Sequence, residues 1–192
     1  MKLTPELLLA AYSQGVFPMA DARDGEIGWF MPESRGVLEL DRLKVSRSLA
    51  KVVDSGIYTI TVNTAFASVI NLCAALREET WISHEIERAY TELHHLGYAH
   101  SVEVWQDELL AGGLYGVSIG GAFFGESMFH KRRDASKVAL VYLVRRLRER
   151  GFVLLDTQYI TSHLASLGAV EIPREEYMLR LKLALNVHTS FA

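Results

Sequence analysis

The 192 residues include a single cysteine, Cys73, only four prolines, and no apolar run approaching the roughly 18 residues that a membrane-spanning helix needs. One cysteine excludes an internal disulfide and a cysteine-based zinc site. The longest apolar stretch, Val138 to Val144, is far too short to span a bilayer. Positive charge is also scarce: 20 Lys and Arg against 23 Asp and Glu leave a net charge of -3. Such a chain has no global attraction to nucleic acid, so a nucleic-acid partner would have to be met by a local basic patch. Low-complexity linkers and internal repeats are absent. The expectation is a cytoplasmic chain with no membrane partner.

What is present reads as a packed globular chain. Hydrophobic residues make up 49% and charged residues 22%, a balance that argues against disorder. The N-terminus carries Thr4 as a helix cap and Pro5 in the first turn, and Gly15 stops the helix. That pattern is an amphipathic helix rather than a secretion signal. The next segment, with Phe17-Pro18 and Trp29-Phe30-Met31-Pro32, reads as a loop. A short helix is expected over Arg47–Asp54, then a β-branched strand over Tyr58–Val62. Asn63 or Thr64 caps a helix to about Arg77, and Ser83 caps another that ends at Gly97. Three strands follow, Ala99–Gln106, Leu109–Ile119 and Ala122–Phe129, the last two joined at Gly120-Gly121. Asp134 caps a helix to Arg150, and Phe152–Leu155 has the continuous apolar character of a buried parallel strand. A short helix from Thr161, a brief strand near Val170 and a helix opened by Pro173 complete the chain.

From Tyr58 the order is therefore β-α-α-β-β-β-α-β-α-β-α. This is similar to the N-acetyltransferase superfamily: an α+β fold with a mixed sheet and helices on both faces. Residues 1–56 would form a small N-terminal domain and residues 57–192 the catalytic domain.

Several motifs have competing explanations. Gly116-Val117-Ser118-Ile119-Gly120 matches the G-x-S-x-G pattern of serine hydrolases, but that motif needs a strand-to-helix turn, and here it leads from strand to strand. His94, His95 and His100 lack ligand spacing and read as solvated helix-face residues. His130-Lys131-Arg132-Arg133 precedes a helix N-terminus, where anions bind, or it is a charged loop. Residues 129–136 contain no glycine, which disfavours an acetyl-CoA pyrophosphate site. Glu126 ends an apolar aromatic strand, and Asp156 and Gln158 share one face of the next. A charge at the edge of a buried strand is costly unless it is paired or used, so a shared cleft is expected there, with capping of the following helix as the alternative for Asp156.

Ten short motifs occur in order, among them Gly15-Val16-Phe17-Pro18, Trp29-Phe30-Met31-Pro32, Ser46-Arg47-Ser48, Thr80-Trp81-Ile82, Gly125-Glu126-Ser127-Met128-Phe129, Leu155-Asp156-Thr157-Gln158 and Ala165-Ser166-Leu167-Gly168-Ala169. Together, from about Leu3 to Tyr177, the chain resembles the leucyl/phenylalanyl-tRNA–protein transferases. The resemblance implies transfer of Leu, Phe or Met from aminoacyl-tRNA to proteins beginning with Arg or Lys, which marks them for degradation, by a monomer that uses no metal and no organic cofactor. On that basis our hypothesis assigns Asp156 to orient Gln158 and accept or relay the amine proton, Gln158 to contact the reacting centre, and Glu126 to hydrogen-bond the bound aminoacyl group or the acceptor amine. The donor pocket would comprise Trp81, Leu114, Phe123, Gly125, Met128, Leu140, Leu143 and Leu155. Met19 stands where the family often has a tryptophan, and the N-terminal domain is trimmed relative to the family. Arg47, Lys51, Lys131 and Arg132 are the expected tRNA phosphate contacts. An acetyl-CoA-dependent N-acetyltransferase and a non-catalytic RNA-binding module are the rival readings.

Overall fold

The computed structural model describes residues 3–77 and 79–192. Helix α1 (Pro5–Ser13) begins where Thr4 accepts a hydrogen bond from the Leu7 amide, and it ends before Gly15, whose φ of +77° suits glycine. Strands β1 (Phe17–Ala20), β2 (Ile27–Phe30) and β3 (Ser34–Val37) follow, then α2 (Arg47–Asp54), β4 (Thr59–Val62), α3 (Phe66–Ala75) and α4 (His84–His95). Strands β5 (Ala99–Gln106), β6 (Leu109–Ile119) and β7 (Ala122–His130) precede α5 (Ala135–Arg150). The chain closes with β8 (Leu154–Gln158), α6 (Ser162–Ser166), β9 (Val170–Pro173) and α7 (Arg174–Leu185).

Seven strands form one sheet in the order β4-β5-β6-β7-β8-β3-β9, while β1 and β2 pair separately. Every neighbouring pair in the large sheet is antiparallel except β7 and β8, so the sheet is mixed. Helices cover both faces, as the α+β reading expects. On one face Leu8, Val69, Tyr90 and Leu181, from α1, α3, α4 and α7, share a core. On the other, Val138, Leu140, Leu143 and Val144 of α5 pack with Leu49 of α2 and Leu155 of β8.

The segment read as a loop between Gly15 and Arg47 instead holds three strands. Its prolines and glycines act as breakers in a one-dimensional reading, yet Pro18 sits within β1, and Ser34–Val37 is too short to show alternation. Strand β3 enters the large sheet between β8 and β9, so the sheet extends across the boundary placed at residue 56. One cap assignment differs, and a second holds in position only. Ala65, not Asn63 or Thr64, precedes α3, because Glu103 on β5 supplies the anion from a distance. The Glu103 carboxylate accepts from Thr61 Oγ1 at 2.6 Å and Thr64 Oγ1 at 3.0 Å, and from the Thr64 and Ala65 amides at 3.4 Å. Asp134 does stand at the N-cap of α5, with a left-handed φ of +61°, and its carbonyl accepts from the Val138 amide, but its side chain makes no cap bond; the carboxylate pairs with Lys137 at 2.9 Å instead.

Two of the histidines depart from the solvated reading. His94 stacks on Phe66 with ring centroids 4.4 Å apart, and His100 is buried on β5.

Glu103 is fully buried, and its hydrogen bonds tie β4 and the start of α3 to β5. Glu103→Ala would leave several donors unpaired and remove a negative charge from a helix N-terminus. The expected destabilisation is about 2–4 kcal/mol by urea unfolding, with a smaller loss for Glu103→Gln.

Candidate active site

Strands β7 and β8 pair over only three registers, ending at Phe124↔Asp156. Beyond that point β7 runs on to His130 beside β6, while β8 ends at Gln158 against Gly36 of β3. The two strand ends wall a cavity of about 620 Å³.

Asp156 lies beneath this cavity rather than in it. It is fully buried and does not line the space. Arg35 of β3 grips it with two donors, Nε to Oδ1 at 2.9 Å and Nη2 to Oδ2 at 2.7 Å. Tyr177 of α7 donates to Oδ2 at 2.7 Å, and the Gln158 amide donates to Oδ1 at 2.8 Å. Arg35 is itself only 1% exposed. Its guanidinium lies 4.5 Å from the ring centres of both Phe17 and Tyr177, and Nη1 donates to the Gly15 carbonyl at 2.8 Å. A bidentate pair with its remaining lone pairs filled is the arrangement in which a buried ion pair is tolerated.

The consequence appears at Gln158, whose φ is +55°. For a non-glycine residue this left-handed conformation costs on the order of 1–2 kcal/mol. The hydrogen bond from its own amide to Asp156 holds it there. The turn brings the Gln158 side chain into the cavity, where Nε2 donates to Glu126 Oε1 at 3.0 Å.

Glu126 is partly exposed by area, but its carboxyl is enclosed by hydroxyls. Tyr12 of α1 donates to Oε1 at 2.7 Å, the Tyr12 and Tyr90 hydroxyls are in contact, and the Tyr90 hydroxyl is 3.5 Å from Oε2. Burial raises the Glu126 carboxyl to about 8; the Tyr12 hydrogen bond opposes the rise, and the nearby Asp156 charge adds to it. Both phenols are raised well above their ordinary value, chiefly by burial, and stay protonated.

Most of the expected pocket residues converge on this one cavity. Met19, Trp81, Leu114, Gly125, Glu126, Met128, Leu140, Leu143, Leu155 and Gln158 line it. Phe123 does not: it lies where β7 is still paired with β8, in the same core as its register partner Leu155, and packs 5.1 Å from the Phe191 ring centre. Arg47, Lys51, Lys131 and Arg132 are exposed and lie outside the cavity lining. Arg35, Tyr12, Tyr90 and Tyr177 have no counterpart in the sequence reading. A tyrosine on the buried stripe of a helix needs a partner for its hydroxyl, and at Tyr12, four residues after Leu8, that was the available clue.

Four buried polar atoms among the described residues lack a partner, and all belong to residues lining this cavity: Tyr115 Oη, Ser127 Oγ, Thr157 Oγ1 and His163 Nε2. Leaving such atoms unpaired costs about 1–3 kcal/mol each, which a bound ligand would recover. A more open depression of about 560 Å³ near Arg23, His84 and Glu87 contains no such atom among the described residues.

Two other chemistries fail on geometry. Asn63 Oδ1 accepts from the Ser101 amide at 3.0 Å, so its Nδ2 donates to His100 Nδ1 at 3.0 Å. The ring proton is therefore on Nε2, facing Ser118 Oγ at 3.1 Å, and His100 cannot act as a base toward that serine. Burial also lowers His100 to about 4. Burial pushes the Cys73 thiol up to about 12, so no thiolate nucleophile forms.

The family model described as leucyl/phenylalanyl-tRNA protein transferase matches residues 37–182, and that of its N-terminal domain matches residues 1–33. The chain is 59% identical to the leucyl/phenylalanyl-tRNA–protein transferase of Ruegeria sp. (strain TM1040), covering 97% of this chain and 89% of the relative. The protein of that name from Chlorobaculum parvum is 58% identical, covering 94% of each chain. The one from Rubrobacter xylanophilus is 57% identical over 100% of both. Among solved structures, the chain is similar to a GCN5-related N-acetyltransferase from Kribbella flavida at 14% identity and TM-score 0.45, covering 88% of this chain and 61% of that one. An L-PGS structure from Bacillus licheniformis gives 13% identity and TM-score 0.44, covering 84% and 55%.

The protein is thus an enzyme of the acyl-group transferase class. It belongs to the leucyl/phenylalanyl-tRNA–protein transferase family, the aminoacyltransferases that move an amino acid from tRNA to a protein.

Two stability measurements check the electrostatics. Arg35→Met strands the Asp156 carboxylate in the core, with an expected loss of about 3–5 kcal/mol by chemical denaturation. Because burial raises Glu126 from 4.5 to about 8, its favourable contribution is complete below about pH 4.5 and is lost as pH climbs to about 8. Glu126→Gln should therefore raise Tm relative to wild type by a margin that grows between pH 5 and pH 8.5. A constant margin would contradict the assignment.

Proposed function

We propose that the chain transfers Leu, Phe or Met from aminoacyl-tRNA to proteins whose N-terminal residue is Arg or Lys, acting as a monomer in the cytoplasm and marking its products for degradation. One observation carries this reading: Glu126 and Gln158 face a cavity whose remaining wall is largely apolar, with Leu114, Met128, Leu140, Leu143 and Leu155 along it. Such a wall suits a Leu, Phe or Met side chain. An apolar pocket discriminates one methylene by only about 1–3 kcal/mol, so acceptance of several large donors is expected.

The aminoacyl ester is already activated, so the enzyme has only to hold its carbonyl against an uncharged α-amine. The free amine titrates near 7.7–8.0, and a useful neutral fraction exists at physiological pH. Orientation then contributes about 7–11 kcal/mol to lowering the barrier. Gln158 aligns the amine or polarises the ester. Asp156, enclosed by Arg35, Tyr177 and the Gln158 amide, acts through Gln158 and is a positioning residue. Trp81 and Met19 flank the donor's terminal nucleoside. Arg47, Lys51, Lys131 and Arg132 contact tRNA phosphates, and removing one such contact lowers the salt slope of tRNA binding by about one.

The test is transfer of labelled Leu, Phe and Met from their tRNAs to peptides beginning with Arg, Lys or Ala. The expected result is transfer of all three donors to the Arg and Lys peptides and little to the Ala peptide. Leu140→Phe should narrow the donor pocket and depress Phe transfer about tenfold more than Leu transfer. Equal transfer to the Ala peptide would remove the acceptor assignment. Salt-dependent tRNA binding with no turnover on any peptide would replace the whole reading with that of an RNA-binding module.

A further inference from the structure

Joining an amine to an ester requires one proton to leave the nitrogen and one to reach the departing ribose oxygen, and the site must carry both. The carboxylate of Asp156 is poorly placed for this. Both of its oxygens are occupied by Arg35, Tyr177 and the Gln158 amide, and it does not face the cavity. The Gln158 amide is adjacent but is not a base. Among the described residues Glu126 is the single carboxyl group lining the cavity. His130 and His163 line it too, yet neither hydrogen-bonds Gln158 or Glu126: His130 faces Ser136 at 3.5 Å, and His163 Nε2 has no partner.

Resting on the proposed aminoacyl transfer, we infer that Glu126 is the proton carrier of the reaction, held in place by the Tyr12–Tyr90 hydroxyl pair on one side and by Gln158 on the other. The neutral α-amine attacks the ester carbonyl carbon, and the C–N bond forms. The Glu126 carboxyl gives its proton to the ribose oxygen as the C–O bond breaks. The resulting carboxylate takes a proton from the nitrogen, which leaves a neutral amide, a free ribose hydroxyl and Glu126 protonated as at the start. No further reactant is needed, and the same group serves both transfers because it lies beside Gln158.

The surroundings support this cycle. The groups facing Glu126 are Tyr12 from α1, Tyr90 from α4, Tyr115 from β6, Gln158 and Asp156 from β8 and, behind Asp156, Arg35 from β3. None of them replaces the carboxyl as a carrier, since the phenols remain protonated and the Arg35 charge is committed to Asp156. A carboxyl titrating at about 8 keeps its proton through the neutral range and can release it to an alkoxide. The enzyme would then need Glu126 protonated and the amine neutral, which confines maximal turnover to a window near pH 8.

The test measures single-turnover transfer from saturating Leu-tRNA to a saturating Arg-initiated peptide from pH 6 to pH 9.5. Wild type should lose rate on the alkaline side with a midpoint near 8. Glu126→Gln, which keeps size and hydrogen bonds, should lower the maximal rate by about 10²-fold or more and abolish that alkaline limb. Tyr12→Phe removes a donor that stabilises the carboxylate, so the limb should move up by about half a pH unit or more. A merely structural role for Tyr12 would lower the rate without moving the limb. Wild-type transfer accompanied by Glu126→Gln within threefold of it, or by an unmoved limb in Tyr12→Phe, overturns the carrier while leaving the transferase reading intact. A wild-type enzyme that transfers nothing overturns both.

Discussion

The buried contact between Arg35 and Asp156 is the constraint on which the site depends. An isolated charge in a protein core is prohibitively costly, and a pair is tolerated only when geometry and additional hydrogen bonds replace the lost water. Here a guanidinium fork meets both carboxylate oxygens, one tyrosine hydroxyl and one backbone amide complete the carboxylate, and two aromatic rings enclose the guanidinium. These partners come from β1, β3, β8 and α7. Segments distant in the chain are therefore joined at one point, immediately beneath the cavity.

The energetic order is informative. The left-handed Gln158 is the strained element, and the Asp156 hydrogen bond to its amide offsets that strain. Strain of this kind persists only where the surroundings over-determine it. The second carboxyl, Glu126, lies nearby with hydroxyl and amide partners but no cation in direct contact, and burial there favours the neutral acid. Two carboxyl groups a strand apart thus have different environments: one anchors, and the other is free to exchange a proton. The apolar residues beneath α5 complete the division of labour by enclosing an uncharged side chain.

Much of this was legible in the sequence. The order of elements after Tyr58 follows from periodicity and turn residues, although the cap of α3 does not, and even the parallel β8 announces itself through its unbroken apolar run. Asp156, Gln158 and Glu126 are conspicuous as polar residues at the ends of apolar strands. Arg35 was not visible, because Ser34-Arg35-Gly36-Val37 is too short for alternation and follows a proline, so nothing local distinguishes it from a solvated loop. Its burial is a tertiary property, created when β3 inserts between β8 and β9. Tyr12 and Tyr90 were hidden for the opposite reason: each fits the apolar stripe of its helix, and only the fold shows that their hydroxyls meet Glu126. Phe123 was misplaced because it lies where β7 and β8 are still paired, short of the point where the strands part, and only the sheet register sets that point.

The most direct test of the clamp is a high-resolution crystal structure of Asp156→Ala. Without the carboxylate, nothing holds the Gln158 amide. The account predicts that Gln158 returns to negative φ and that its side chain withdraws from Glu126. A Gln158 still at positive φ, with its side-chain Nε2 still 3.0 Å from Glu126 Oε1, would show that Asp156 does not set the geometry of the site.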